Sequence, residues 1–528
     1  MPRPSQCRNR MMQQVWNSIR LRLVVAPLLL LAVSTAVLHA QAATLGEQRA
    51  SKAFDAAKSS KANALELDAF LARMPKGADL HMHLSGAVYA ETMIDEAVAD
   101  RLCFDTASLS LIPGKGSDAS CGAGQSPVRA ALTDPALYSK IVDALSMRDF
   151  VPGHKSAHDH FFDSFGLFAL ADKGHTGEFV AELSRRAAEQ NESYLELMAL
   201  AGGAGVNQIG ATVGLSDSFD KTAENLRSAG MPALVLQLKS KVDEIEKQRI
   251  ENLHCNSEPS SAQCKVVIRY VYQVLREFPK EQVFAQTLAG FALASMDPRV
   301  VAVNFVQPED GINSMRNYHL HMQMIDFAKR LYPNVHITLH AGELASGLVP
   351  PEGLRFHIRE AIEIGHAERI GHGVDIMYET GAVEMLKKMH AQHLAVEIAL
   401  TSNDVILGVK GIDHPFPIYR KYNVPVVLVT DDEGVNRSHL TQEYQRAVLT
   451  YGLTYADVKQ IVRNGIEYSF LSGASYWTDG TYRMVAKPCV AGIHTASCQA
   501  FLTASDKATA QADLENRFRE FEADTIKK

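Results

Sequence analysis

Two histidines lie two residues apart in a short apolar segment, Ala78-Asp79-Leu80-His81-Met82-His83-Leu84. In a β-strand, residues i and i+2 point to the same face, so His81 and His83 could bind one metal ion together. A second pair with the same spacing, His319 and His321, lies in a helical pattern. Residues two apart in a helix point in different directions. We therefore predict that His319 and His321 are solvent-exposed and bind no metal together.

Three further apolar segments end in residues that bind metals or transfer protons. They read Leu339-His340-Ala341-Gly342-Glu343, Ile370-Gly371-His372-Gly373 and Val429-Thr430-Asp431-Asp432. Imidazole nitrogens and carboxylate oxygens are common zinc ligands, and histidine and glutamate are common general acids and bases. Together with the first pair, these segments predict one site with a metal ion and several proton-transfer groups.

The elements that must position these residues are eight short, mostly apolar segments separated in several places by helical patterns. The predicted strands are Ala78–His83, Tyr194–Ala199, Val266–Tyr272, Val300–Val306, His336–His340, Arg369–His372, Leu394–Leu400 and Val424–Thr430. This order predicts an α/β fold, a (β/α)₈ TIM barrel, whose catalytic groups lie at the carboxyl ends of its strands. A doubly wound sheet normally has a glycine-rich phosphate loop after its first strand, and this sequence has none there.

Several segments exceed a minimal barrel. An insert at about 95–160 follows the first strand, and its end, His154–His160, is expected to form a polar loop or lid near the barrel mouth. A second insert covers 200–262. A helical lead-in at 43–74 and a charged helix at 507–526 account for the remaining length without a second catalytic domain.

The N-terminal region, 1–42, has the pattern of a secretory signal peptide. It contains arginines but no Asp or Glu, and the apolar stretch Leu23–Leu38 precedes the small-x-small sequence Ala40-Gln41-Ala42. A membrane anchor is the alternative, but the apolar run is short and is interrupted by a proline. We therefore predict a signal peptide at 1–42, a barrel domain at 43–528, and export to the periplasm or the extracellular space.

Removal of the signal peptide takes away Cys7 and leaves six of the seven cysteines. An even number of cysteines in an exported chain suggests disulfide bonds. The six fall into three close pairs, and none has the spacing of a zinc knuckle. The predicted disulfides are Cys103–Cys121, Cys255–Cys264 and Cys489–Cys498.

The overall charge limits the partners. The chain carries 53 basic and 60 acidic residues, a formal net charge of −7, and no long Lys/Arg run. This argues against a nucleic-acid partner, which is bound mainly through phosphate contacts. No membrane partner is expected once the signal peptide is removed.

The sequence from about Pro75 to Phe470 resembles the adenosine/AMP deaminase branch of the metal-dependent amidohydrolases. The resemblance rests on Pro75-Lys76-Gly77-Ala78-Asp79-Leu80-His81-Met82-His83, His340-Ala341-Gly342-Glu343, Arg369-Ile370-Gly371-His372-Gly373, Thr401-Ser402-Asn403, Thr430-Asp431-Asp432 and Asn464-x-x-x-x-Ser469-Phe470. Export, the predicted disulfides and the cysteine-bearing insert are similar to the extracellular growth-factor-type adenosine deaminases of this family.

The resemblance implies one Zn²⁺ held by His81, His83, His340 and Asp431, with a position left for water. Zinc lowers the pKa of a bound water. His372 would orient this water and assist its deprotonation, and Asp431 would share that task.

The resemblance further implies that Glu343 supplies a proton to purine N1 and that Asp432 hydrogen-bonds N7, as adenosine becomes inosine and ammonia leaves. Two positions depart from the family pattern. Ser85 stands where the family usually has an acidic residue that contacts the ribose 5′ hydroxyl, and Gln307 stands where it has a glycine whose N–H meets purine N3. These changes affect recognition rather than the metal or the proton transfer.

The leading hypothesis is therefore a zinc-dependent enzyme that deaminates adenosine or a close 6-aminopurine nucleoside. One alternative is a related amidohydrolase that deaminates another base, nucleoside or nucleotide. Another is a zinc-binding extracellular factor without catalytic activity.

Overall fold

The computed structural model describes residues 43–61, 63–115 and 120–524, so the predicted signal peptide lies outside the described residues. Within these ranges the strands are β1 (Gly77–His83), β2 (Cys103–Asp105), β3 (Leu111–Ile112), β4 (Gln125–Pro127), β5 (Glu192–Ala201), β6 (Val267–Leu275), β7 (Val300–Val306), β8 (His336–Ala341), β9 (Arg369–His372), β10 (Ala395–Ile398) and β11 (Val426–Leu428).

The helices surround these strands or belong to the inserts and termini. They are α1 (Leu45–Ser59), α2 (Asn63–Arg73), α3 (Leu84–Ala87), α4 (Ala90–Ala99), α5 (Pro135–Ala144), α6 (Ala157–Phe168), α7 (Thr176–Glu189), α8 (Gly203–Val213), α9 (Phe219–Ser228), α10 (Met231–Asn252), α11 (Lys280–Met296), α12 (Ile312–Leu331), α13 (His357–Glu363), α14 (Ala382–Ala391), α15 (Leu400–Leu407), α16 (Phe416–Lys421), α17 (Leu440–Tyr451), α18 (Tyr455–Glu467), α19 (Ala496–Thr503) and α20 (Asp506–Asp524). Short 3₁₀ turns lie at Val128–Thr133, Gln263–Lys265, Gly353–Arg355, Ile376–Tyr378, Gly411–Asp413 and Lys487–Cys489.

Eight parallel strands, β1 and β5 to β11, pair in chain order. The barrel closes just after β11, where the Asp431 N–H donates to the carbonyl of His81 and the His83 N–H donates to the carbonyl of Asp431, both at 2.9 Å. The predicted (β/α)₈ barrel and its eight strands are confirmed. Closure through Asp431 also places this residue directly beside the two histidines of β1.

The barrel interior beneath its carboxyl end contains a buried ion-pair network. The Arg369 guanidinium donates through Nε to Glu397 Oε1 and through Nη2 to Glu196 Oε2, both at 2.5 Å. The ring of Phe470 stacks on the guanidinium at 3.9 Å. Buried charges need such partners, because each ion loses several kcal/mol of hydration in an apolar interior. The network therefore fixes the position of Glu397, which reaches up to the site.

The insert after β1 is a folded unit rather than an irregular loop. Strands β2, β3 and β4 form an antiparallel sheet in the order β3-β2-β4, and the disulfide Cys103–Cys121 closes it. At its end, where a polar loop or lid was expected, residues 154–156 are irregular and His158 and His160 lie on the first turn of α6. The structure also contains the disulfides Cys255–Cys264 and Cys489–Cys498, which completes the pairing that the sequence predicts.

One of the two histidines in the helical pair differs from its prediction. His319 on α12 is exposed, as expected, but His321 is only 1% exposed and packs on the ring of Phe305. The helix thus turns one histidine outward and the other toward the barrel, so the prediction of solvation is wrong for His321. None of the helices in the described ranges combines the length and the apolar character that a bilayer crossing requires.

Candidate metal and catalytic site

Four potential metal ligands converge at the carboxyl end of the barrel. The Nε2 atom of His340 lies 3.0 Å from Nε2 of His81 and 3.1 Å from Nε2 of His83. Asp431 Oδ1 lies 3.4 Å from both β1 nitrogens, while its Oδ2 accepts a hydrogen bond from Ser402 at 2.6 Å. Zinc bonds of about 2.0–2.1 Å in a tetrahedron separate neighbouring ligand atoms by about 3.3 Å. The observed spacings fit that geometry.

The Nδ1 atom of each of these three histidines faces a side-chain oxygen. The contacts are His81 with Glu397 Oε2 at 2.6 Å, His340 with Asn304 Oδ1 at 3.0 Å and His83 with Gln273 Oε1 at 3.2 Å. A hydrogen on Nδ1 donates to each oxygen and leaves the Nε2 lone pair directed at the common centre. Hydrogen bonds of this kind orient metal-binding histidines and fix their tautomers. Asp431 Oδ1, buried and without a hydrogen-bond partner among the described residues, completes the donor set.

Burial sets most of the protonation states in this cluster. It lowers the pKa of His83 to about 4 and that of His340 well below the ordinary value, so both rings are neutral at neutral pH. Burial also acts on His81, but the adjacent carboxylates of Asp431 and Glu397 outweigh it and raise its pKa to about 10. Because a metal ion binds the deprotonated nitrogen, metal binding at His81 is coupled to proton release.

The turn after β8 places Glu343 beside the cluster. Gly342 has a φ of +74°, a conformation that glycine adopts without strain. The carboxylate of Glu309 accepts the N–H of Gly342 at 2.9 Å and the N–H of Glu343 at 2.8 Å, and His357 Nδ1 lies 2.5 Å from its Oε1. Glu309 therefore holds the backbone of Glu343 in place.

Glu343 is suited to hold a proton. Burial raises its pKa well above the ordinary value, and the charges of Asp431 and Glu309 raise it further. Its Oε1 has no hydrogen-bond partner among the described residues and lies 3.6 Å from Nδ1 of His372. A neutral carboxyl in such a position can act as a general acid.

Three residues of the predicted site have a left-handed backbone conformation. His372, Asp431 and Gln307 have φ values of 66°, 63° and 81°, in a region that non-glycine residues rarely adopt. A side chain on Gly86 would also be impossible without displacing Asp432, because its Cβ would lie 1.6 Å from Asp432 Oδ1. The fold thus holds these residues in positions that local preference disfavours.

A cavity of about 380 Å³ opens above the ligand cluster, which is within the usual size range of small-molecule sites. Its lining includes Ser85, Gln307, Glu343, Asp431 and Asp432, together with Phe161, Phe162 and Phe165 of α6. The structure therefore brings the sequence-predicted substrate contacts to one cavity. The predicted His372 lies deeper, with its ring centre 5.0 Å from that of His81.

The side-chain amide oxygen of Gln307 bonds to the protein backbone. Its Oε1 accepts the backbone N–H of Glu277 at 3.0 Å. Its carbonyl accepts Nε of Arg276 at 2.9 Å, and the same guanidinium donates to the carbonyl of His340 at 3.3 Å. These contacts hold the backbone of Gln307 in the left-handed conformation that a glycine would adopt freely.

Sequence reasoning did not identify four supporting residues. They are Gln273, Asn304, Glu309 and Glu397. Three of them are polar residues within otherwise apolar barrel strands, which is a signal that sequence reading could use. Their partners could not be named from the sequence, because each contact depends on the packing of separate strands.

The structure combines a parallel eight-stranded barrel with a His/Asp cluster that could hold a metal ion. Residues 241–475 match the family model described as adenosine deaminase. This segment includes His340, Glu343, His372 and Asp431. Over this segment the chain is similar to the adenosine deaminase family.

Individual relatives are similar over part of the chain. An adenosine deaminase of Clostridium perfringens is 31% identical over 206 residues, which cover 38% of this chain and 52% of that protein. This chain spans between 38% and 52% of the length of the first three curated relatives that it matches.

Two solved structures share the fold. An Arabidopsis ADAL structure in complex with GMP has a TM-score of 0.50 at 20% identity and covers 76% of this chain and 94% of its own. A Burkholderia ambifaria amidohydrolase with bound Zn has a TM-score of 0.53 at 14% identity and covers 88% and 95%.

Proposed function

We propose that this chain is a zinc-dependent hydrolase that converts adenosine, or a close 6-aminopurine nucleoside, to inosine and ammonia. The observation that carries the proposal is the convergence of three histidine Nε2 atoms and Asp431 Oδ1 beneath a cavity that Glu343 and Asp432 also line. The match of residues 241–475 to the adenosine deaminase family model supports this reaction class.

The ligand set fits one zinc ion per chain, held by His81, His83, His340 and Asp431. Three neutral imidazoles and a carboxylate suit zinc, and a fourth protein ligand still leaves room for a reactant at a catalytic metal that expands its coordination. A zinc ion bound there would supply Lewis acidity, which lowers the pKa of water from 15.7 to about 7. The Zn-bound Burkholderia ambifaria neighbour is consistent with this choice of metal.

The two carboxyl groups in the cavity have protonation states that suit a purine. Glu343 holds a proton because of its raised pKa, and it would donate that proton to N1 as C6 becomes tetrahedral. Burial and the adjacent Asp431 likewise raise the pKa of Asp432 well above the ordinary value. A neutral Asp432 can donate to N7, which is an acceptor. His372 would orient the attacking water from below.

A nucleoside fits the cavity better than a nucleotide. Among the described residues that line it there is no Lys or Arg, whereas Glu343, Asp431 and Asp432 all face it. A phosphate carries a charge of about −1.5 to −2 at neutral pH, and protein phosphate sites normally supply a cation. Ser85, at the position of the family's ribose contact, adds an uncharged hydroxyl. The neighbours crystallised with GMP and IMP are the reason to include nucleotides in the test.

The test is a substrate panel with purified protein that contains one zinc per chain. Adenosine, adenine and AMP are compared through the change in ultraviolet absorbance that accompanies conversion of the 6-aminopurine to the 6-oxopurine. We expect the highest kcat/KM for adenosine. A clear preference for AMP or adenine would favour the related amidohydrolase, and inactivity of zinc-loaded protein on the whole panel would favour a silent zinc-binding factor.

We also propose export to the periplasm or the extracellular space and a kinship with the growth-factor-type members. The three disulfides in the structure support export, because disulfides persist mainly in oxidising compartments. N-terminal sequencing of protein from the culture medium and the periplasm tests this. A mature N-terminus close to residue 43 is expected, and full-length protein retained in the cytoplasm contradicts it.

A further inference from the structure

His372 differs from the three ligand histidines in the atom that faces its Nδ1. The ligand histidines present Nδ1 to oxygen atoms within hydrogen-bond distance, whereas Nδ1 of His372 lies 3.0 Å from the amide nitrogen of Asn403. The carboxyl oxygen Oε1 of Glu343, at 3.6 Å, is beyond hydrogen-bond distance of this atom. An amide nitrogen can only donate a hydrogen bond. With the amide in this orientation, Nδ1 of His372 is the acceptor.

The orientation of the Asn403 amide follows from its second contact. Asn403 Oδ1 lies 3.0 Å from Nε2 of His414, and the backbone N–H of Phe416 donates to Nδ1 of His414 at 3.1 Å. A backbone N–H has no acceptor function, so Nδ1 of His414 carries the lone pair and Nε2 carries the hydrogen. That hydrogen points at the amide oxygen of Asn403, which leaves the NH₂ group for His372.

We propose that His414 and Asn403 are positioning residues that fix the tautomer of His372, with its hydrogen on Nε2. A hydrogen on Nδ1 would face the amide hydrogens of Asn403, so the hydrogen-bond chain from His414 through Asn403 to His372, here called the relay, disfavours the other neutral tautomer. Nε2 of His372 is buried and has no partner among the described residues. In this tautomer Nε2 is a hydrogen-bond donor, available to orient the attacking oxygen.

The relay also accounts for two buried polar residues in the segment after β10. Asn403 lies on α15 and His414 precedes α16, and both are almost completely buried, at 0% and 2% exposure. Buried polar groups cost free energy unless they are hydrogen-bonded. Here each is bonded in a chain that begins at the backbone N–H of Phe416 and ends at the ring of His372.

The catalytic consequence rests on the proposed function, but the tautomer does not. The test therefore has two readouts on the zinc-loaded, full-length protein. The first is ¹⁵N NMR of selectively labelled histidine rings, with His372 assigned by its loss in His372→Gln. The second is kcat and KM for adenosine.

The decisive variant is Asn403→Asp. It keeps the shape and the acceptor for His414 but replaces the donor nitrogen with a second acceptor oxygen, so it should move the hydrogen of His372 to Nδ1. Loss of one oriented donor to a reacting oxygen typically costs about 10²–10³-fold in kcat. We expect wild type to show the hydrogen on Nε2, and Asn403→Asp to show it on Nδ1 with kcat lowered about 100-fold and KM little changed. Zinc content should be unchanged in both proteins.

A matched control is Asn423→Asp, which makes the same change at an exposed position just after α16, outside the cavity lining, and should behave as wild type. If Asn403→Asp does not fold, His414→Phe frees the Asn403 amide and should give a mixture of His372 tautomers with an intermediate kcat. A wild-type hydrogen on Nδ1 overturns the inference, and so does an Asn403→Asp protein with kcat within threefold of wild type. Wild-type inactivity on every nucleoside refutes instead the proposed function.

Discussion

Glu309→Gln is the substitution that most directly probes how the fold positions the proposed acid. The wild-type carboxylate accepts the N–H groups of Gly342 and Glu343 with separate oxygens, at 2.9 and 2.8 Å. Glutamine keeps the shape but presents NH₂ to one of these N–H donors, so one bond to a charged acceptor is replaced by a donor–donor contact. Such a bond contributes about 1.5–3 kcal/mol. We expect the free energy of unfolding to fall by about 2–3 kcal/mol.

The effect on catalysis should exceed the effect on substrate binding. Displacement of a reacting group by about 1 Å can cost on the order of 10²-fold in rate, and Glu309 holds the backbone of Glu343 rather than the substrate. Glu309→Gln should therefore lower kcat about 30- to 100-fold with a small change in KM and a full complement of zinc. Glu352→Gln, on the exposed surface after β8, is the matched control for steady-state kinetics and urea unfolding. A Glu309→Gln protein with kcat/KM within threefold of wild type refutes the positioning argument.

Three other predictions concern the protonation of Glu343, one disulfide bond and the buried ion pairs inside the barrel. Activity needs protonated Glu343, whose pKa is raised. The value of kcat/KM should therefore be retained at lower pH and fall as the pH rises through that pKa. A kcat/KM that rises as this carboxyl group deprotonates contradicts the role of Glu343 as an acid. Replacement of both Cys103 and Cys121 by alanine removes a cross-link between residues 18 apart in the chain. The free energy of unfolding, measured in urea, should fall by about 3 kcal/mol. An unchanged urea midpoint refutes this prediction. Arg369→Met should destabilise the fold by at least about 3–5 kcal/mol, because two buried carboxylates lose their cation; a thermal midpoint equal to that of wild type contradicts this.

The barrel and the pairing of His81 with His83 could be predicted because both depend on local periodicity, whereas His340 and Asp431 were assigned as ligands through the family resemblance. Alternation on β1 puts His81 and His83 on one face, and the carboxyl ends of parallel strands meet at one rim. The three disulfides were predictable for a similar reason, since each joins cysteines that are close in the chain. These features need no knowledge of how distant segments pack.

The contacts that support the site depend on tertiary packing. Glu397 reaches His81 across 316 residues, and Asn304 reaches His340 across 36. Such pairings follow from strand register and from the rotation of side chains inside the barrel. The error at His321 has the same origin, because helical periodicity separates His319 from His321 but does not say which face the barrel covers.

The position of Gln307 shows how structure can resolve a departure from a family pattern. From the sequence, a glutamine in place of glycine raises the question of a side chain in the binding region. The structure gives Gln307 a glycine-like φ of 81° and ties its amide oxygen to the N–H of Glu277. The substitution therefore changes the cavity wall without displacing the proposed catalytic groups.

Metal removal and restoration test the central claim most directly. The protein is stripped with a chelator, its metal content is measured, and adenosine deamination is followed before and after addition of one equivalent of zinc. The proposed site predicts loss of activity without metal, recovery with one zinc per chain, and no recovery in His340→Ala. Full adenosine deaminase activity in protein that contains no metal would contradict it.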